Sequence, residues 1–116
     1  MPIPRLIVKK REKQALAALK KLWSEYESAK FPRGLLGQEI AGLDLVVLDA
    51  NVAGCIETFL SRKRQLDTWR TAVLGKCYRE LATVIAELSG SARAYFARLE
   101  RLAGLVLDAI IAQSAP

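Results

Sequence analysis

The chain contains no histidine, and that gap removes more chemistry than any other feature of its 116 residues. Without imidazole there is no Ser-His-Asp or Cys-His mechanism, no histidine-ligated zinc and no Glu-x-x-His di-iron bundle. Cysteine is scarce too. Cys55 and Cys77 are too few and too far apart for a four-ligand zinc site or a disulfide framework. The N-terminus turns basic at once and offers no secretory signal, so the two cysteines read as reduced, buried thiols and the expected location is cytoplasmic. No Glu-x-x-Glu pair occurs, and with it goes the usual spacing of a carboxylate-only magnesium site on one helix. No catalytic group, metal or cofactor is expected. The most apolar segment, residues 40–60, is long enough to span a bilayer but carries Asp44, Asp49 and Glu57. One acid at mid-bilayer costs about 2.5–3.5 kcal/mol, so no membrane-spanning role is expected.

What the chain does have is helical periodicity. An apolar fraction of 52% and a charged fraction of 26% suit a folded chain, and the length suits one domain, residues 1–116. Advancing about 100° per residue, Leu16, Leu19, Leu22, Trp23 and Tyr26 extend a stripe begun by Val8 and Ala15. This predicts a first helix over residues 4–29, ended by Phe31-Pro32-Arg33-Gly34. A second helix is expected over 38–60. A third, striped by Leu66, Val73, Cys77, Leu81, Val84 and Leu88, follows a polar turn at 61–65, with Asp67 or Ser61 as its cap. Ser89-Gly90-Ser91 marks the clearest boundary, and a fourth helix over 92–112 carries Tyr95, Phe96, Leu99, Leu102, Val106 and Ile110. Four long helices joined by short turns predict an all-α, antiparallel up-down-up-down four-helix bundle.

Val46-Val47-Leu48-Asp49-Ala50-Asn51-Val52 resembles the opening of a PIN-domain nuclease, whose buried strand delivers a metal-binding aspartate. The resemblance implies Asp49 as a magnesium ligand and the chain as a ribonuclease. Against it, no neighbouring segment reads as a strand, and some 45 helical residues precede a motif that normally opens its domain. The helical reading is therefore preferred.

The second helix is too apolar for a surface helix, yet Asp44 and the Asp49–Glu57 side point in different directions. At least one acid is then buried, and a buried carboxylate needs a partner. Arg70 interrupts the stripe of the third helix. An antiparallel register about residues 62–64 sets it opposite Glu57, and sets Asp49 near Cys77 and Tyr78. The expected polar cluster is thus Glu57–Arg70 across the bundle and Asp49 bonded to Tyr78, primarily structural, with a small anionic ligand at Arg70 as the functional alternative.

Two surfaces suggest partners. Between residues 1 and 14, five basic residues against Glu12 supply +4 of the formal +6. Lys9, Lys10, Lys13, Lys20 and Lys21 share the face opposite the apolar stripe, a diffuse cationic surface able to attract nucleic acid or another polyanion. On the fourth helix, Leu105, Leu107 and Ile111 fall beside or outside the stripe, which suggests a homodimer patch, with Gly104 permitting close approach. The leading expectation is a non-catalytic bundle that acts through protein–protein contact, with polyanion binding by the basic face of the first helix as the alternative and a small anionic-ligand site near Arg70, Glu57 and Asp49 as the second.

Overall fold

The computed structural model describes residues 4–114. Its helices are α1 (Arg5–Ser28), α2 (Leu45–Ser61), α3 (Thr68–Ala86) and α4 (Gly90–Ser114). The all-α, four-helix expectation holds. Three contacts define the directions. The Cys55 thiol lies 3.7 Å from the Arg70 carbonyl, Tyr26 and Tyr95 lie ring to ring, and the Gln113 amide donates to the Arg64 carbonyl at 2.8 Å. Consecutive helices therefore run antiparallel, up-down-up-down.

Packing is uneven. α4 packs against each of the other three helices, and α2 also packs on α3. What allows this is the breadth of its buried face: Tyr95, Phe96, Leu99, Leu102, Ala103 and Val106 cover more than one stripe. Opposite them lie Leu45, Leu48, Val52, Ile56 and Phe59 of α2 and Leu74, Leu81 and Val84 of α3, in one continuous core. α1 contributes one fully buried side chain, Leu19, with Leu16, Leu22, Trp23 and Tyr26 packed at the edge.

The second helix starts later than the sequence suggests. Residues 38–44, expected to be helical, instead form a hairpin in which β1 (Glu39–Ile40) pairs antiparallel with β2 (Leu43–Asp44). Ala41 and Gly42 both have positive φ, at 52° and 78°, as a tight two-residue hairpin turn requires. Asp44 then caps α2, its carboxylate accepting from the Val47 amide at 3.0 Å. The 61–65 break is real: Asp67 caps α3 by accepting from the Arg70 amide at 2.8 Å. Gly90, at φ 61°, turns the chain between α3 and α4.

Phe96 is wholly buried, edge-on to both Phe31 and Tyr95, whereas Leu6 is 79% exposed. Phe96→Ala is expected to cost about 3–5 kcal/mol of unfolding free energy in urea titration. Leu6→Ala should change it by less than about 0.5 kcal/mol.

Candidate functional site

The polar centre of the bundle joins three helices. Asp49 of α2 is half-buried, and one of its carboxylate oxygens accepts from the Tyr26 hydroxyl of α1 at 2.8 Å and the Tyr95 hydroxyl of α4 at 3.0 Å. Trp23 stacks on Tyr26 at 5.1 Å and Phe31 meets Tyr95 edge-on, so the cluster sits within an aromatic wall. Burial raises the Asp49 carboxyl, although both phenol hydrogen bonds lower it. Burial, aided by the Asp49 charge, pushes the Tyr95 hydroxyl up to about 12 and raises that of Tyr26 as well. Both phenols remain protonated donors at neutral pH. Because a single carboxylate oxygen accepts from both hydroxyls, the cluster ties three helices together in register.

This corrects the expected cluster. Asp49 does find a phenol, but not that of Tyr78, which is exposed and lies over Gly104, where an added Cβ would meet its ring at 3.3 Å. The approach that Gly104 permits is therefore made within the chain. Glu57 is exposed and Arg70 pairs with Asp67, three residues before it. The register explains the miss. Cys55, not Glu57, lies against Arg70, and two residues along a helix turn a side chain by about 200°, which sends Glu57 outward. Asp49, Glu57 and Arg70 thus occupy three separate places and enclose no common ligand pocket. The segment that resembles a nuclease strand is helical, and among the described residues no three potential metal ligands gather. Both cysteines are buried, unpaired thiols; burial raises Cys55 and pushes Cys77 up to about 11. Among the described residues no helix is long and apolar enough to cross a membrane.

Of the expected dimer patch, Leu105 and Leu107 pack against the core, and only Ile111 stands free, 68% exposed. The lysine face is as expected: Lys9, Lys10, Lys13, Lys20 and Lys21 are all exposed. Among the described residues Arg70–Asp67 is the one ion pair, so these lysines have no acid within pairing distance.

A cleft of about 560 Å³ opens between the N-terminal half of α1 and the C-terminal half of α4. Ala15, Leu16, Leu19, Leu105, Ala109 and Ala112 line its apolar part. Arg11, Lys63 and Arg64 stand at its edges with Glu12 and Asp108. Its origin lies in α1, whose residues 5–15 are all exposed. The apolar stripe of α1 continues there through Val8 and Ala15, but no neighbouring helix covers it. Lys63 and Arg64, at φ 53° and 61°, form the third wall in a left-handed conformation that costs a non-glycine residue about 1–2 kcal/mol. The Gln113 bond to the Arg64 carbonyl pins this turn to α4.

Charge along the cleft is mixed, three cations against Glu12 and Asp108, and the basic excess lies along α1 beside it. α1 has no side-chain cap and no acid in its first turn, while Arg5, Lys9, Lys10, Arg11 and Lys13 crowd its N-terminal half. Helix dipoles favour anions at that end, so these cations face an unfavourable field.

Compared with protein families, curated proteins and solved structures, the chain matches none. The site geometry carries the functional reading by itself.

Because burial raises the Asp49 carboxyl, the folded chain takes up this proton at higher pH than the unfolded chain. The contribution of Asp49 to stability is then full in acid and fades as pH rises through its folded value. Asp49→Asn keeps an acceptor for both phenols without the charge. Its stability relative to the parent is expected to improve between about pH 3 and 7, measured by thermal unfolding across that range. A pH-independent difference would refute a desolvated carboxylate. Asp49→Ala, which strands both hydroxyls, should cost about 1–3 kcal/mol.

Proposed function

We propose that the chain is a non-catalytic interaction module that acts through protein–protein contact in a reducing, cytoplasmic setting, and that its α1–α4 cleft receives an acidic amphipathic helix from a partner. The observation that carries this reading is the cleft itself: an apolar floor left uncovered by the chain's own helices, beneath a rim where Arg11, Lys63 and Arg64 outnumber Glu12 and Asp108. Its volume is within the usual 300–1,000 Å³ range of binding pockets. A helix laid in a groove buries one apolar face and offers its charged flanks to the rim.

Charge selects the occupant. A second copy could offer its own exposed Leu6, Ile7 and Val8, but these are surrounded by Arg5, Lys9 and Lys10, which the Arg11–Lys63–Arg64 rim would repel. An acidic segment would instead neutralise the rim and relieve the unfavourable N-terminus of α1. The strained Lys63–Arg64 turn supports the same view, since backbone strain clusters at binding sites. The exposed lysines favour nucleic acid as the second reading, and their attraction for it would fade steeply with salt.

The test uses two synthetic helices with the same leucine and alanine face, one flanked by glutamates and the other by lysines. The acidic peptide is expected to bind and to slow amide exchange in residues 5–12; the basic one is not. Ala112→Glu, at an exposed edge of the cleft, should weaken binding at least about tenfold. Lys63→Gly should raise stability by up to about 1 kcal/mol while also weakening binding. Equal binding of the two peptides, or none of the acidic one, overturns the reading. Copurified nucleic acid released by salt would transfer it to the lysine face.

A further inference from the structure

The outward side of α2 presents a second surface, which shares only the Lys63–Arg64 turn with the cleft. Val47, 53% exposed, and Ala50 lead to Gly54, with Trp69 of α3, 70% exposed, standing beside them. A glycine in mid-helix costs about 1 kcal/mol relative to alanine. At Gly104 the chain itself gives the reason, the Tyr78 ring at 3.3 Å; at Gly54 an added Cβ would meet nothing within 4 Å. Nothing in its own fold requires this residue to be glycine.

The charges at the two ends of this helix are segregated, with one exposed acid, Glu57, between them. Glu39 and Asp44 lie at its N-terminal end, and Arg62, Lys63 and Arg64 at its C-terminal end, all exposed and, among the described residues, without ion-pair partners. An antiparallel copy of the same helix would place acids against bases at both ends. We propose that two copies of the chain associate through α2, antiparallel and crossing at Gly54 about a two-fold axis.

The missing side chain lets the two backbones approach, as small residues do where helices cross closely. Such an interface is isologous, each copy giving and receiving the same contacts. In an antiparallel pair the two-fold axis leaves both α3 helices on one side of the seam. Trp69, level with Gly54, then lies beside its counterpart, and tryptophan is among the residues that most often anchor interfaces. The expected self-association thus moves from α4, whose Leu105 and Leu107 serve the core, to α2.

Sedimentation equilibrium and light scattering on the full chain test this. The parent is expected to dimerise, and Gly54→Leu, which has open space within its own chain, to weaken the dimer at least about tenfold while circular dichroism shows an unchanged helical fold. Trp69→Ser, at an exposed position, provides a second variant and should also weaken it. A monomeric parent at about 100 μM, a concentration that would reveal even a micromolar interface, overturns the proposal. So does a dimer that both variants leave intact. Neither variant touches the cleft, so acidic-peptide binding should survive in both, and failure of one proposal leaves the other standing.

Discussion

Three helices must share one surface, the apolar face of α4. Because α1, α2 and α3 all pack on it, its side chains have to point inward over an arc wider than one stripe, and Tyr95, Phe96, Leu99, Leu102, Ala103 and Val106 supply that arc. The consequence for α1 is severe. It is held chiefly along one edge, by Leu19 and the aromatic cluster near its C-terminal end, and its other half stands off from α4 across the cleft. The cleft follows from this sharing rather than from any defect in α1's own pattern.

Asp49 compensates for the thin attachment of α1. Apolar packing tolerates small slides, whereas a carboxylate that accepts two hydroxyls from different helices has one workable geometry. Through Tyr26 and Tyr95 it fixes the register of α1 and α4 relative to α2. Burial of the charge opposes folding, and the phenol bonds offset part of that cost. Specific alignment is thus obtained at some expense in stability, which accounts for a charged residue at this level of the bundle.

Much of this architecture was legible in the chain, for identifiable reasons. Long 3.6-residue periodicity revealed four helices, and Gly90 and Asp67 marked their limits because left-handed turns and helix caps have strong residue preferences. The Ala41-Gly42 hairpin was missed because the surrounding apolar residues continue a helical pattern, and two-residue strands are too short to show alternation. That Asp49 needed a partner was evident from its apolar neighbours. Which partner it takes was not, because Tyr26 and Tyr95 lie within apolar stripes and read as core residues, and because a two-residue error in the α2–α3 register exchanges a buried position for an exposed one. The cleft was least visible. It arises from the absence of a neighbour along half of α1, and a sequence stripe looks the same whether or not another helix covers it.

The unpartnered half of α1 nevertheless remains helical, and its composition explains how. Alanine, leucine, lysine, arginine, glutamate and glutamine dominate residues 9–22, all strong helix formers whose preference needs no tertiary contact. Opposing this are the missing cap, the absence of acid in the first turn, and like charges four residues apart at Arg5–Lys9 and Lys9–Lys13. Propensity holds the segment while electrostatics pull against it, so its opening free energy must lie near the low end of the range within the molecule. A segment in that condition responds to a modest external charge. An acidic helix in the cleft would cancel the adverse field and cover the bare stripe in one step, gaining from both terms without any rearrangement of the core.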